Sequence, residues 1–250
     1  MKKKATVLIQ HLEAVYTMYP RRNTIKHHAF IAVYHDRILK IGSGLGSEFI
    51  DKDTRIIEGR NHIALPGFID IDVRSEALKQ QTSDTPYQLQ SLSGTLLRHG
   101  TMLIHNETVL SEVKEQLRHP SMIDVHTKPC QSKAEICRPL TMKHDLYDNK
   151  KPFCISCGYH SEPCLDQLLC AKLYAKQHGI SDLTHVLAAC TLYPARALGL
   201  NDYGILKQGG KANILLFSGK ELSQVMKRFY GDELIHVIKD GIRFYPNPII

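Results

Sequence analysis

Over the first 60 residues, apolar side chains stand at alternating positions or in short β-branched runs, which is the pattern of half-buried strands. A polar turn at residues 35–37 predicts a β-hairpin there, and an Asp240-Gly241 turn predicts a second one near the end of the chain. The predicted strands are residues 5–9, 12–17, 30–34, 38–41 and 55–57, with the last hairpin over residues 237–244. We therefore expect both ends of the chain to meet in one composite β-sandwich, made of residues 1–62 plus 201–250.

Between these ends the pattern changes to alternating strands and helices. A Pro66-Gly67 turn leads into a short apolar run, and leucines at helical spacing follow over residues 87–99. Gly100 ends this helix, and residues 101–105 form the next apolar run. The order strand, helix, strand predicts a parallel βαβ unit at the start of an α/β region that spans residues 63–200.

This middle region is too short for a complete barrel. A strand at residues 153–157 and two amphipathic helices, one ending at Gly179 and one starting at Ser181 or Asp182, are its later elements. The 135 residues from 66 to 200 would leave about 17 for each of eight βα units, whereas a unit needs roughly 25–30. The fold class is therefore α/β, with a parallel layer that is too short for a closed eight-stranded barrel.

Three charged residues, Asp70, Asp72 and Arg74, alternate along the first strand of this layer. Alternate side chains leave the same face of a strand. Charges at the end of an inner strand either pair with one another or serve a site. We favour the structural alternative, in which Asp72 pairs with Arg74 or with a neighbour.

Composition narrows the class of protein. With 250 residues, 43% of them hydrophobic, the chain can bury a substantial core. No apolar run approaches the roughly 18 residues of a membrane span, and no signal-peptide pattern is present, so we expect a cytoplasmic protein that has no membrane partner. The net charge of +7 comes mostly from the first 60 residues. Without interleaved aromatics or a nucleic-acid motif, we interpret it as a solvated basic edge rather than a nucleic-acid surface.

Seven cysteines, an odd number, favour reduced thiols or a metal over a disulfide framework. Four residues are spaced closely enough to surround one tetrahedral zinc ion: Cys154, Cys157, His160 and Cys164. In a regular strand, however, Cys154 and Cys157 would face opposite sides. The thiols would then be small buried apolar groups. Zinc therefore stays a candidate cofactor.

Several of these stretches resemble the amidohydrolase superfamily. Residues 66–70, Pro-Gly-Phe-Ile-Asp, are similar to its first barrel strand. Residues 190–216, with Leu-Gly-Leu and Gly-Lys-Ala-Asn, are similar to the passage from its last helix to its sandwich domain. The N-terminal strands are most similar to those of imidazolonepropionase and its relatives. The resemblance implies a metal-dependent hydrolase that acts on carbon–nitrogen bonds of a small cyclic amide or amidine. It also implies that the short parallel layer is an abbreviated, incomplete TIM-barrel-like one.

The expected catalytic residues are altered. Asp72 and Arg74 stand where the family has two metal-binding histidines, and Cys157 stands where its last barrel strand carries the catalytic aspartate. Arginine cannot ligate a metal, and a thiol cannot replace the carboxylate as the base of the family's reaction. His105, on the neighbouring strand, is the best remaining candidate. The candidate site positions are therefore Asp70, Asp72, Arg74, His105 and Cys157, without a confident catalytic residue.

Three functions stay open. The leading hypothesis is a catalytically degenerate amidohydrolase-like protein that acts as a binding or scaffolding partner, either of a full-length relative or in a homo-oligomer. The second is an active hydrolase with a rebuilt site and a small-molecule substrate. The third is a zinc-stabilised interaction module. Metal content is the observation that separates them.

Overall fold

The computed structural model describes residues 3–19, 25–73, 85–107, 123–132, 135–139, 152–157, 166–229 and 233–245. The strands in these residues are β1 (Val7–Tyr16), β2 (Ile25–Tyr34), β3 (Arg37–Ser43), β4 (Arg55–Glu58), β5 (His62–Pro66), β6 (Phe68–Asp70), β7 (Thr101–His105), β8 (Asp124–His126), β9 (Glu135–Cys137), β10 (Phe153–Ile155), β11 (Ile214–Ser218), β12 (Leu234–Lys239) and β13 (Ile242–Tyr245). The α-helices are α1 (Thr85–Arg98), α2 (Gln167–Gln177), α3 (Leu183–Ala188), α4 (Leu192–Ala197) and α5 (Leu222–Lys227). None of these helices is long and apolar enough to cross a membrane.

The chain divides into two compact units. The first consists of residues 1–67 together with 205–250, and the second of residues 68–204. The fold is mixed α/β with several sheets, and no sheet closes into a barrel within the described residues.

The first unit is built on one eight-stranded sheet, in which β1 pairs with three other strands. β1 pairs antiparallel with β2 on one edge, and on the other edge it runs parallel to β4 and then to β5. Strands from both ends of the chain are joined because β5 pairs antiparallel with β11. Apolar side chains of β1 to β5, β11 and β12 form a common buried cluster, which includes Ile9, Ile31, Ile57, Leu216 and Ile238.

β1 is one strand rather than the two predicted from residues 5–9 and 12–17. Its register with β2 shifts between Ile9 and Leu12, and His11 has a φ of 57° there. A β-bulge accommodates an extra residue while the strand continues. The polar pair at residues 10 and 11, which looked like a break between strands, is this bulge.

Both predicted hairpins are confirmed. β2 pairs with β3 around residues 35–36, and β12 pairs with β13 around Asp240 and Gly241. Asp240 and Gly241 have φ values of 49° and 78°, as a two-residue hairpin turn requires. The two turns also touch, because a Cβ on Gly241 would lie 1.8 Å from the carbonyl oxygen of His35.

The second unit contains two parallel sheets in its described residues, one with the order β6-β7-β8 and one that pairs β9 with β10. Helix α1 begins at Thr85 and ends at Arg98, within two residues of the predicted range 87–99, and Gly100 has a φ of 83°. The side chain of Asp182 accepts hydrogen bonds from the amides of Thr184 and His185, which confirms it as the N-cap of α3.

Candidate functional site

The site region lies at the carboxyl ends of β6 and β10. These strands are bridged by the segment after α3, because the amide of Ile69 donates to the carbonyl of Cys190 at 2.8 Å and that of Ile155 to the carbonyl of Ala189 at 2.9 Å. The side-chain amide of Gln167, which is fully buried, donates to the carbonyl oxygens of both Ile69 and Ile155, at 3.3 and 2.5 Å. This bridging holds the ends of the two strands at a fixed separation.

Asp70, the last residue of β6, is fully buried. Its Oδ1 accepts hydrogen bonds from the hydroxyl of Ser156 at 2.6 Å and from the amide of Asp72 at 3.1 Å. Its Oδ2 accepts from the amide of Cys157 at 3.0 Å. Burial raises the pKa of Asp70, although these three donors act in the opposite direction. The carboxyl group is thus satisfied by the protein's own donors.

Asp72 forms an ion pair with Arg138, which directly follows β9. Nε of Arg138 donates to Oδ2 of Asp72 at 2.8 Å, and Nη2 donates to the same oxygen. The side chain of Asp72 is 12% exposed and that of Arg138 is 19% exposed. We expected Asp72 to pair with Arg74 or with a neighbour; the partner in the structure is Arg138, 66 residues further along the chain, while Arg74 lies outside the described residues.

Side chains at the end of β7 contact the backbone that follows β6. Nδ1 of His105 lies 3.0 Å from the carbonyl oxygen of Ile71, and Nε2 lies 3.1 Å from that of Lys128. The side-chain amide of Asn106 donates to the carbonyl of Val73 at 2.7 Å. His105 therefore directs both ring nitrogens at backbone oxygens, and Nε2 is also 3.6 Å from a carboxylate oxygen of Glu107.

The candidate cysteines have different surroundings. Cys154 is fully buried in an apolar cluster with Ile69, Ile71 and Ala195. The thiol of Cys157 instead donates to Oε1 of Gln167 at 3.6 Å. Burial raises the pKa of Cys154, with smaller contributions from neighbouring thiols and from Asp70. Such a thiol stays protonated at neutral pH, and it is the thiolate that binds metals and attacks electrophiles.

The donors described here do not fit a metal ion. No group of three or more His, Cys, Asp or Glu side chains converges closely enough to hold one in the described ranges. The oxygens of Asp70 already accept hydrogen bonds, and the guanidinium of Arg138 beside Asp72 would repel a cation. His160 and Cys164, the other two proposed zinc ligands, lie outside the described residues.

Four residues of this region were not singled out in the sequence: Asn106, Arg138, Ser156 and Gln167. Only Ser156 carried a usable signal, since a hydroxyl between Ile155 and Cys157 interrupts an apolar strand end. The others carry none, because their partners are distant in the chain.

Comparison with known proteins agrees with this fold. The amidohydrolase family model matches residues 162–243. A search of curated proteins finds no match. Among solved structures, the chain is similar to a zinc-bound adenosine deaminase from Xanthomonas campestris, with a TM-score of 0.68 and 12% identity over 97% of this chain and 93% of that one.

Two other solved structures give the same picture. A zinc complex of atrazine chlorohydrolase from Arthrobacter aurescens matches with a TM-score of 0.56 and 13% identity over 95% of this chain and 94% of that one. Ochratoxinase from A. niger matches with a TM-score of 0.63 and 10% identity over 97% and 96%. At these identities the likeness establishes the fold. The family model that matches residues 162–243 supports the resemblance to the amidohydrolase superfamily that the sequence predicted.

Proposed function

We propose that this protein is a catalytically inactive amidohydrolase-like protein that acts as a binding or scaffolding partner. The proposal rests on the observation that both carboxylates at the end of β6 are engaged by other groups of the chain. Asp70 accepts three hydrogen bonds from the chain, and Asp72 is paired with Arg138. A carboxylate engaged in this way is not presented to a metal ion or to a substrate proton.

The other candidate groups support the same conclusion. Cys157, at the position of the family's catalytic aspartate, is a buried thiol that bonds to Gln167. A thiol there does not accept the proton that the family's aspartate takes. Both ring nitrogens of His105 lie within hydrogen-bonding distance of backbone carbonyl oxygens, and the nitrogen that carries the proton donates to one of them. The fold is thus retained while the groups that would carry the chemistry stabilise it instead.

A binding role accounts for a retained fold without a retained site. We propose a composite β-sandwich from both ends of the chain and an abbreviated barrel-like layer between them, with a second copy or a full-length relative as the partner. Large apolar side chains are exposed in both units, including Tyr87 at 75% and Ile242 at 52%. Exposed aromatic and aliphatic side chains are frequent in contacts between proteins.

The test is elemental analysis together with turnover assays. The protein, produced in zinc- and manganese-supplemented medium, is expected to hold no stoichiometric zinc, manganese or iron. It is also expected to leave hydantoin-, lactam- and imidazolone-like rings intact, as well as adenosine and atrazine. The zinc-bound adenosine deaminase from Xanthomonas campestris is the positive control for both measurements.

Three outcomes distinguish the alternatives. The proposal would be overturned in favour of a hydrolase by two results together: bound metal that remains in the Cys154→Ser/Cys157→Ser variant, and ring opening that is lost in Asp72→Ala. Asp53→Ala is the control and should keep the ring opening, because Asp53 is exposed and lies in the other unit. Zinc released by the double serine variant, together with a lowered Tm, would identify a zinc-stabilised module. A monomer at every concentration in light scattering would contradict self-association.

A further inference from the structure

A cleft of about 380 Å³ lies in the first unit, between the β2–β3 hairpin and the loop that precedes β11. One wall consists of residues 34–39 and the other of Gln208 and Gly209, and Lys3 completes the lining. Sites for small organic ligands lie in this size range and combine apolar surface with a few polar groups. All of these residues belong to the first unit, whereas the carboxylates at the end of β6 belong to the second.

The two walls of the cleft are joined by backbone hydrogen bonds. The amide of Ile38 donates to the carbonyl of Gly210 at 2.9 Å, and the amide of Gly209 donates to the carbonyl of Ile38 at 2.8 Å. The amide of Ala212 donates to the carbonyl of Asp36 at 2.8 Å. The fold itself therefore forms the cleft, and a ligand does not have to order its walls, which favours binding.

Lys3 brings a positive charge to the cleft that is not paired with a carboxylate of the described residues. Its Nζ lies 3.6 Å from the centroid of the Tyr34 ring, and within the described part of the chain it forms neither an ion pair nor a hydrogen bond. An exposed ammonium above an aromatic ring is held only weakly. Its N–H donors are therefore available to an anion.

Arg37 adds a second positive charge, which Asp36 offsets in part. Nε of Arg37 lies 3.2 Å from Oδ2 of Asp36, and both side chains are exposed. Ion pairs that are this exposed contribute little free energy. With two cations and one carboxylate among its lining residues, the cleft has a net positive charge and attracts anions.

We propose that this cleft binds a small organic anion, namely a carboxylate carried on a planar apolar ring system. The carboxylate accepts hydrogen bonds from the ammonium of Lys3. The ring system packs against Tyr34 and Leu39, which supply aromatic and aliphatic surface to the lining. An inorganic anion would use only the charge of the cleft, and a neutral ring would use only its apolar surface. The cleft lies in the first unit alone, so this proposal does not rest on the loss of the catalytic site.

The probe is 2-naphthoate, titrated into the full chain and followed by saturation-transfer NMR of the ligand resonances. Saturable binding is expected, with a Kd of about 1 mM or tighter. 2-Naphthalenemethanol has the same ring system without the charge, and it should bind at least about threefold more weakly. Acetate has the charge without the ring system, and at the same concentration it should not displace naphthoate.

Two charge variants should move the affinity in opposite directions. Lys3→Met should weaken naphthoate binding about threefold to tenfold, because the carboxylate loses its ammonium partner. Lys220→Met is the control, since Lys220 is an exposed lysine of the same unit outside the lining, and its affinity should stay within about twofold of wild type. Asp36→Asn should tighten binding about twofold to fivefold, because Arg37 is released from its ion pair. Asp53→Asn, at an exposed aspartate of the same unit, should leave the affinity unchanged.

The proposal would be overturned if naphthoate showed no saturable binding or if the neutral alcohol bound as tightly. Equal affinities of Lys3→Met and Lys220→Met, or weaker binding by Asp36→Asn, would overturn it as well. All of these variants replace exposed side chains, so Tm should stay within about 2 °C of wild type and a change in affinity reports on the cleft. Metal content and turnover play no part in these measurements, so this proposal and the proposed function can each fail while the other stands.

Discussion

Asp240 lies in the turn of the last hairpin and binds two lysines at once. Nζ of Lys211 donates to its Oδ1 and Nζ of Lys239 to its Oδ2, each at 2.8 Å. Lys239 is only 2% exposed, while Lys211 and Asp240 are 21% and 25% exposed. Asp240→Asn removes the negative charge, and asparagine tolerates the positive φ of 49° at this position. The substitution therefore isolates the electrostatic contribution from the backbone conformation.

The expected cost follows from the burial of Lys239. Removing one partner of a buried ion pair costs about 3–5 kcal/mol, and the partial exposure of Asp240 places its loss nearer to 2–3 kcal/mol. For a chain of this size, that corresponds to a fall in Tm of roughly 4–12 °C. Asp53→Asn, at an exposed position of the same unit, is the control and should change Tm by about 1 °C at most.

The pH dependence gives a second, independent readout. Burial alone would raise the pKa of Asp240, but the hydrogen bonds from Lys211 and Lys239 outweigh it and hold the pKa below its ordinary value of 3.8. A carboxyl group whose pKa is lowered by folding stabilises the protein above the unfolded pKa, and this stabilisation is lost as pH falls through the folded pKa. Thermal unfolding followed by circular dichroism should therefore show a Tm difference between wild type and Asp240→Asn that is complete at pH 7 and shrinks below pH 3.8. The reasoning would be refuted if the Tm difference between wild type and Asp240→Asn were the same at pH 7 and below pH 3.8. It would also be refuted if that difference were below about 2 °C at pH 7.

Two further predictions concern a turn and the thiols. Gly241→Ala should lower the free energy of unfolding in urea by at least about 2 kcal/mol more than Gly209→Ala does. Both glycines have a φ of 78°, but only at Gly241 would the added Cβ lie against the carbonyl of His35. Equal losses of unfolding free energy in the two variants would contradict this prediction. Iodoacetamide labelling with peptide mapping should modify the exposed Cys130 well before the five buried thiols of the described residues, Cys137, Cys154, Cys157, Cys170 and Cys190. Labelling of Cys154 in the folded protein as fast as that of Cys130 would be inconsistent with its burial.

Local features of the fold could be predicted from the sequence because their causes lie within a few residues. The Asp240-Gly241 turn, the Asp182 cap and the end of α1 before Gly100 each depend on the conformational preference of one or two residues. The bulge in β1 was missed, since a polar pair within a strand and a polar break between strands look alike in sequence.

The site was less predictable because its contacts are long-range. The sequence marks Asp70 and Asp72 as unusual, but their partners Ser156 and Arg138 are 86 and 66 residues away. An aspartate in sequence does not reveal whether its oxygens will meet a hydroxyl, an arginine or a metal. The partners become clear only in the structure, where the ends of β6, β9 and β10 lie together: Asp70 meets a hydroxyl and an amide, and Asp72 meets an arginine.

The pairing of β5 with β11 has a consequence for synthesis on the ribosome. His62 of β5 pairs with Ser218 of β11, so 156 residues separate the two partners. At a synthesis rate of about 5–20 residues per second, β11 is made roughly 8–30 s after β5, and this edge of β5 stays unpaired for that time. During that interval the nascent chain presents an apolar strand with unpaired amides and carbonyls on that edge, which other nascent chains can bind. Slower translation would therefore be expected to reduce the soluble yield, and a chaperone that covers extended apolar segments should restore it.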